Sequence, residues 1–299
     1  MVDRIFFFKY ISYSLKEILF NFRNISLKKN KYFYKIAPET NFFFDNTKFY
    51  YPLTLDLTTL KKRLEYKSNY YKDILKLTGP CSAFIDFGAD IGEDSFVYNS
   101  ICKKKSYKTA ILCFEPNKYS YQILYKNIKG KNCSLYNFGV FNCNKIANLN
   151  YSSFYFSNTL SNLAKGKSSL MSIYNRRNKD ASSVQIKLKK LSSFMKKSLL
   201  KNAIVKIDVE GCEKEILQEI SEMNVLPIAI LLEINMHHVF KRFLKLKKIF
   251  GSFYNHKKYD LFYYGNDKII YSINFNEISK ILYKYSYSID FILIKKTNL

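Results

Sequence analysis

Short apolar runs alternate with longer amphipathic segments along most of the chain, beginning near residue 81. The runs are rich in β-branched and aromatic residues, and their lengths predict strands at Ala83–Phe87, Ala110–Phe114, Ser134–Val140, Ile204–Val209 and Ile228–Ile234. Between several of them, apolar residues recur at intervals of three and four, which predicts helices with one buried face. Two such stripes are Tyr121–Ile128 and Cys212–Met223. This alternation is typical of a parallel sheet covered by helices.

The last third of the chain predicts the end of the sheet. A third apolar stripe, Val239–Phe250, predicts a helix whose opposite, basic face is solvated surface. Beyond Gly251, the runs Tyr259–Tyr264 and Ile289–Ile294 predict two closing strands. The expected fold is therefore an α/β domain with a Rossmann-like sheet, mostly parallel, with an antiparallel closing strand.

Two parts of the chain lie outside this alternation of predicted strands and helices. Residues 1–80 are rich in Tyr and Phe, which predicts a partly helical N-terminal extension that contacts the acceptor or a second subunit. Residues 81–299 form the predicted domain, interrupted at about 144–190 by a long, polar, Ser-rich insertion. Long insertions in α/β folds usually lie over the active site or are partly mobile.

The formal net charge of the chain is +25, which would suit a protein that binds a polyanion. The lysines accompany many Asn, Ile, Tyr and Phe residues and no Trp, a composition that AT-rich coding sequence favours. We therefore do not expect a nucleic-acid partner, whereas peripheral contact with a membrane or a lipid-linked acceptor stays open. Six scattered Cys residues lack zinc-binding spacing and indicate a reducing compartment.

The N-terminus lacks an apolar core followed by a cleavage site, so we predict no signal peptide. No apolar run approaches the roughly 18 residues that a membrane-spanning helix requires. Together with the cysteine pattern, these features predict a cytoplasmic protein.

The first candidate motif follows the strand Ala83–Phe87 and contains two glycines four residues apart. Gly88 and Gly92 would allow a sharp turn and a close approach of the backbone to a ligand. The following helix would offer free N–H groups to the carboxylate of a methionine tail, and Asp86 or Asp90 could hold its ammonium group. The spacing G-x-x-x-G differs from the dinucleotide pattern G-x-G-x-x-G, which disfavours a nicotinamide or flavin site.

The second candidate motif ends the next strand, in the segment Phe114–Asn117. Glu115 lies somewhat over twenty residues beyond the first motif, where an acidic residue can accept hydrogen bonds from both ribose hydroxyls. The alternative is that Glu115 merely precedes and caps a helix after Pro116. We group Asn117 with the cofactor-binding candidates of this segment.

Two further strands end in acidic residues, at the sheet edge where α/β folds bind their ligands. Asp208 and Glu210 follow the fourth strand. Glu233 ends the fifth strand and is followed closely by His237 and His238. A histidine has a suitable pKa for a general base, although one beyond a strand end is as often a surface residue.

Together these motifs resemble a known family, the FkbM-type methyltransferases. D-F-G-A-D-I-G at 86–92, F-E-P-N at 114–117 and V-K-I-D-V-E-G-C-E at 205–213 are similar to D-x-G-A-N-x-G, F-E-P and I-D-V-E-G-x-E of that family. The resemblance runs from about Cys81 to Ile294. Asp90 replaces the usual Asn, and Cys212 stands where a His or a small residue is common. The resemblance implies a class I methyltransferase sheet.

The resemblance also implies an S-adenosylmethionine-dependent O-methyltransferase that acts on a hydroxyl of a sugar, a glycan or another small molecule. The expected cofactor-binding residues are Asp86, Gly88, Asp90, Gly92, Glu115, Asn117 and Asp208. Asp208, Glu210 and His237 are the candidates for proton removal or acceptor binding. No metal site is expected, because strand-end spacing alone is weak support for one. Methylation of an RNA ribose, or an inactive binding module of the same fold, is the alternative.

Overall fold

The strands of the computed structural model form an N-terminal hairpin, a large sheet and a small sheet. The structure describes residues 39–52, 57–128, 130, 132–152, 155–159, 182–209, 211–235, 258–278, 280–281 and 288–296. The strands are β1 (Glu39–Phe44), β2 (Thr47–Pro52), β3 (Ala83–Phe87), β4 (Ala110–Phe114), β5 (Cys133–Tyr136), β6 (Gly139–Phe141), β7 (Lys145–Ser152), β8 (Tyr155–Thr159), β9 (Ser182–Lys190), β10 (Ala203–Ile207), β11 (Ala229–Asn235), β12 (Tyr259–Tyr264), β13 (Ile270–Ser272) and β14 (Ser288–Lys295).

The large sheet has the order β5-β4-β3-β10-β11-β14-β12-β13. Its strands from β5 to β11 are parallel, and β14 runs antiparallel to both of its neighbours, β11 and β12. This is the strand order of a class I methyltransferase sheet, so the predicted fold class is confirmed. Strands β12 and β13 precede β14 in the chain, yet β14 lies between β11 and β12 in the sheet. The last strand is therefore inserted between two earlier strands.

Helices cover both faces of this sheet. They are α1 (Leu57–Thr78), α2 (Glu93–Lys104), α3 (Lys118–Asn127), α4 (Lys197–Lys201) and α5 (Glu213–Glu222). Apolar residues of α1, α2 and α3 pack on one face, and those of α4 and α5 pack on the other. No helix in the described part of the chain is both long and apolar enough to cross a membrane.

Helix α1 accounts for the predicted helical part of the N-terminal extension. The ring of Tyr71 lies 5.5 Å from that of Phe84 on β3 and 5.4 Å from that of Tyr98 on α2. The helix is therefore packed directly on the large sheet. The domain boundary at residue 80 stays a prediction, and residues 1–38 lie outside the described part.

The predicted strand Ser134–Val140 is wrong as a single element. The chain leaves the large sheet after Tyr136 and enters the small sheet, of order β6-β9-β7-β8, at Gly139. A Cβ at Gly139 would lie 2.7 Å from Cδ2 of Leu188, so glycine permits the close approach of β6 to β9. The predicted strand Ile204–Val209 likewise ends early, at Ile207.

The predicted insertion at 144–190 contains regular structure in its described parts, because β7 and β9 pair over seven residues. Alternate side chains of this small sheet bury an apolar face that also contacts Cys212, just before α5. Residues 160–181 and the predicted helix at Val239–Phe250 lie outside the described residues.

Asn127, at the end of α3, connects three separate parts of the chain. Its side-chain oxygen accepts a hydrogen bond of 2.6 Å from the Tyr50 N–H. Its amide nitrogen donates to the carbonyl oxygen of Tyr50 at 2.8 Å and to that of Ile91 at 2.7 Å. The hairpin β1–β2 is thereby tied to the loop that follows β3.

Candidate active site

The glycine loop after β3 is held between the two neighbouring strands. The N–H groups of Gly88 and Ala89 donate to the carbonyl oxygen of Phe114, at 3.0 and 3.1 Å. On the other side, the Asp208 N–H donates to the carbonyl oxygen of Phe87 at 3.0 Å. The backbone of the loop is therefore fixed at the carboxyl edge of the sheet, where α/β folds bind ligands.

Both predicted glycines adopt left-handed backbone conformations, with φ of +87° at Gly88 and +91° at Gly92. A Cβ at Gly88 would overlap the backbone carbonyl oxygen of Asp208. A Cβ at Gly92 would lie 2.7 Å from Cδ1 of Leu124 on α3. The loop can therefore turn into α2 only because both positions lack a side chain.

Glu115 is buried and binds two backbone N–H groups with its carboxylate. Its Oε2 accepts from Asp90 at 2.8 Å, and its Oε1 accepts from Asn117 at 2.7 Å. Burial and the charge of Asp90 raise the pKa of Glu115 to about 8, although both backbone N–H groups act in the opposite direction. Glu115 thus fixes the glycine loop from the β4 side, and its predicted role toward a ribose stays a prediction.

Asn117 and Asp90, the two neighbours of Glu115, have different surroundings. Asn117 caps helix α3, since its side chain accepts a hydrogen bond of 2.9 Å from the Tyr119 N–H. Asp90 has a left-handed backbone, with φ of +47°, and is partly exposed. Burial raises the pKa of Asp90, and the Ser120 hydroxyl and Arg63 act in the opposite direction.

Asp86 lies beneath the loop and is fully buried. Its Oδ2 accepts a hydrogen bond of 2.5 Å from the Ser95 hydroxyl on α2, and its Oδ1 lies 3.9 Å from Nζ of Lys206. Burial raises the pKa of Asp86 to about 6, while Lys206 acts in the opposite direction. Of the two residues predicted to hold a methionine ammonium group, Asp90 is therefore the more accessible.

Lys206 is the centre of a buried ionic network that sequence reasoning largely missed. Its Nζ lies 3.0 Å from Oδ2 of Asp208 and 3.2 Å from Oδ2 of Asp94. Asp94 also accepts from Nζ of Lys67 at 2.7 Å and from the Tyr71 hydroxyl at 2.8 Å. The network joins β10 with α1 and α2.

The charges in this network stabilise one another. Burial favours neutral Asp94, but the ammonium groups of Lys206 and Lys67 hold its pKa below the usual range. Burial alone would lower the pKa of Lys206, but Asp208, Asp94 and Asp86 raise it well above the usual value. Lys206 is therefore a cation at neutral pH and cannot act as a base.

The structure places Asp208 beside the glycine loop and brings further acidic residues to its other side. Glu233 on β11 was noted in the sequence, whereas Asp290 on β14 was not, since no motif contains it. Glu210 and His237, two of the three predicted catalytic residues, lie outside the described part of the chain. Within the described residues, no group of three His, Cys, Asp or Glu side chains is arranged to hold a metal ion.

A glycine turn between a strand and a helix, with a buried acid ending the next strand, is a site for a nucleoside that carries a charged tail. The partly exposed Asp90 beside this turn fits the charged tail of such a ligand. On a sheet of this strand order, these features define a methyltransferase of class I. A family model described as Methyltransferase FkbM domain matches residues 86–288. The chain therefore belongs to the FkbM methyltransferase family, and S-adenosylmethionine is its methyl donor.

Comparison with solved structures gives distant similarities. The methyltransferase FkbM from Methylobacillus flagellatus KT has 12% sequence identity and a TM-score of 0.41, covering 72% of this chain and 43% of that chain. This chain thus spans less than half the length of that protein. TYW2 from Pyrococcus horikoshii, solved with MeSAdo, has 11% identity and a TM-score of 0.41, covering 87% of this chain and 73% of that chain. No curated protein matches the chain.

Proposed function

We propose that this chain methylates a hydroxyl oxygen of a sugar, a glycan or another small molecule. The observation that supports this reaction is the position of Asp208, whose backbone contacts Gly88 and whose side chain is partly exposed next to the Lys206 ammonium group. A hydroxyl group needs a nearby base, because it must lose its proton as the new bond forms.

Asp208 and Lys206 have complementary roles in this proposal. Asp208 accepts the proton of the acceptor hydroxyl, as a carboxylate within reach of the reacting oxygen. The Lys206 ammonium group pairs with the Asp208 carboxylate at 3.0 Å and so holds it in position for this proton transfer. When bound, S-adenosylmethionine supplies a methyl group on a positively charged sulfur. Glu210 and His237 are proposed to bind the acceptor or to share proton removal.

The proposed partner is a small-molecule or glycan acceptor rather than a nucleic acid, and peripheral contact with a membrane or a lipid-linked acceptor is part of the proposal. All six cysteines are free, which supports the prediction of a reducing, cytoplasmic compartment. Methylation of an RNA ribose and a binding module without activity are the alternatives that the experiment must separate.

Methyl-labelled S-adenosylmethionine distinguishes these alternatives when the protein is incubated with small-molecule, glycan, lipid and RNA fractions of its source cells. Label in a non-RNA fraction supports the proposal when it resists mild base, which cleaves methyl esters, and when mass spectrometry and NMR of the labelled product place the methyl group on an oxygen rather than on a nitrogen or sulfur. Label confined to RNA, label released by base, or no label would contradict it. A Gly79→Ala variant should label as the wild type does, because a Cβ at Gly79 would meet no atom within 4 Å.

A further inference from the structure

A row of acidic side chains crosses the large sheet on the α1 face, starting beside the glycine loop. In the β10–β11 register Ile207 pairs with Leu232, so the next residue, Asp208, lies level with Glu233. Glu233 pairs directly with Asp290 on β14, and Asp290 pairs with Tyr264 on β12. The row therefore leads from the glycine loop toward β14 and β12, the part of the sheet edge that is left for an acceptor.

Two members of this row have no cation of their own. Asp208 is paired with Lys206, but Glu233 and Asp290 form no hydrogen bond or ion pair within the described part of the chain. Like charges directly opposite each other in a sheet are destabilising. The two nearest ammonium groups, on Lys67 and Lys206, are already bound by other carboxylates.

The pKa values of both carboxyl groups reflect this shortage of positive charge. The charge of Asp208 and then burial raise the pKa of Glu233 well above its usual value. Burial raises the pKa of Asp290 to about 6, although its side chain is only partly buried by accessible area. Both carboxyl groups therefore retain a proton more readily than an ordinary surface carboxylate, and both side chains stay partly exposed to solvent.

Tyrosine side chains of α1 and β12 border the Glu233–Asp290 pair. Tyr70 and Tyr264 are only 5% and 3% exposed, and within the described residues their hydroxyls have no hydrogen-bond partner. The ring of Tyr264 lies 4.8 Å from that of Tyr70 and 5.4 Å from that of the partly exposed Tyr66. Buried hydroxyls usually have partners, so two without one beside open carboxylates indicate a bound molecule or water.

The charge of one carboxylate, Asp290, acts on the hydroxyls of both Tyr66 and Tyr70. Burial and then the charge of Asp290 raise the pKa values of both phenols. Two unpaired carboxylates beside aromatic rings form a receptor for an organic cation, because carboxylates and ring faces both attract positive charge. With a neutral ligand the pair would still have to retain a proton to relieve its repulsion.

We propose that Glu233 and Asp290, together with Tyr66, bind the protonated amine of an amino-bearing acceptor, such as an amino sugar, and so bring its hydroxyl to Asp208. This inference rests on the proposed hydroxyl methylation, and it specifies the acceptor as a hydroxylated amine. The charge of the amine takes the place of the proton that the carboxyl pair otherwise retains.

Calorimetry on the full chain saturated with S-adenosylhomocysteine tests this inference. The aminated probes are glucosamine and kanamycin, and the neutral probes are glucose and N-acetylglucosamine. At least one aminated probe should bind at least tenfold more tightly than either neutral probe at pH 7.5. Equal affinities, or no binding of either aminated probe, would overturn the inference.

Isosteric variants identify the residues responsible. Glu233→Gln and Asp290→Asn should each weaken binding of the aminated probe at least tenfold, while affinity for S-adenosylhomocysteine stays within about twofold. Asp260→Asn is the matched control, because this carboxylate lies on β12 and its side chain is 55% exposed. It should change neither affinity.

The outcomes separate this inference from the proposed function. Retained binding of S-adenosylhomocysteine with no preference for amines would overturn only the amine subsite. S-adenosylhomocysteine carries an ammonium group of its own. If Glu233→Gln and Asp290→Asn instead weaken its binding, the row of carboxylates belongs to the cofactor site and the inference is wrong. Failure of the wild-type protein to bind S-adenosylhomocysteine would count against the proposed function as well.

Discussion

The backbone carbonyl oxygen of Asp208 occupies the space that a side chain at Gly88 would need. This contact joins the cofactor loop to the residue that we propose as the base, across two neighbouring strands. Main-chain atoms just beyond β3 and β10 therefore fix the position of Asp208 relative to the glycine loop, and they move less than long side chains.

We expect Gly88→Ala to abolish binding of S-adenosylhomocysteine and to lower the melting temperature, because its Cβ would push β3 and β10 apart. Gly79→Ala serves as the control, since Gly79 also has a left-handed backbone, with φ of +69°, but open space around it. That control should lose only about 1–2 kcal/mol of stability through backbone strain. Calorimetry and thermal melting measure both effects, and normal cofactor binding by folded Gly88→Ala would rule out this loop as the methionine site.

Stability of the cofactor-free protein should fall as the pH rises from about 5 to about 8, in part because of Glu115. Its pKa is about 8 in the folded protein against a usual value of 4.5, so between these values the folded state holds more protons than the unfolded state. Higher pH therefore favours unfolding over this range. Thermal melts from pH 5 to 9 should show a flatter profile for Glu115→Gln, and an unchanged slope would contradict the assignment.

Other carboxyl groups near Glu115 also affect how stability changes with pH. Variants of these groups should therefore be compared with Glu115→Gln in the same thermal melts. The charged groups that act on it include Asp90 and Asp86. We also expect Glu115→Ala to weaken binding of S-adenosylhomocysteine by about 2–3 kcal/mol, because the variant loses the two hydrogen bonds that fix the glycine loop as well as the proposed acceptor for the ribose. Unchanged affinity in a folded variant would leave Glu115 with a purely structural role.

Asp208→Asn should reduce turnover about 10²–10⁴-fold, the usual cost of losing a general base, while cofactor affinity stays within a few fold. The substitution keeps the shape of the side chain and an oxygen that can accept from Lys206. Single-turnover assays with the acceptor identified by labelling would measure the rate. Equal loss of turnover and of cofactor affinity would show that Asp208 acts mainly in cofactor binding.

Asp94→Ala should destabilise the protein by about 3–5 kcal/mol, because it leaves the buried Lys206 and the partly buried Lys67 ammonium groups underpaired. Lys67 and Lys206 both contact Asp94 within 3.2 Å. The control is Asp73→Ala, which breaks an exposed pair with Lys76 and should cost at most about 1 kcal/mol. Chemical denaturation measures both, and equal costs would mean that the network contributes little.

The parts of the fold that follow from local pattern were predicted well. The strands Ala83–Phe87, Ala110–Phe114 and Tyr259–Tyr264 have the predicted bounds, because their apolar or alternating residues stop where the strands do. The run Ser134–Val140 was wrong, since aromatic and apolar residues continue through the break between the two sheets. Asn137 lies in that break and Gly139 follows it, and neither residue by itself identifies a change of sheet.

The candidate site could be predicted only where it lies within contiguous motifs. Gly88, Glu115 and Asp208 follow strands directly, so their place at the sheet edge follows from topology. Lys67 and Asp290 belong to α1 and β14, and they reach the site through packing between elements far apart in the chain. No local pattern contains that information.

Asn127 ties the hairpin β1–β2 to the glycine loop, so loss of the hairpin should affect any shortened form of this enzyme. Its side chain satisfies the N–H and the carbonyl oxygen of Tyr50 and the carbonyl oxygen of Ile91, just before Gly92. A chain trimmed to start at α1 would keep all the sequence motifs of the family, yet it would expose this asparagine and loosen the support of the cofactor loop. Recombinant truncations should therefore begin upstream of β1, even though the family match begins only at residue 86.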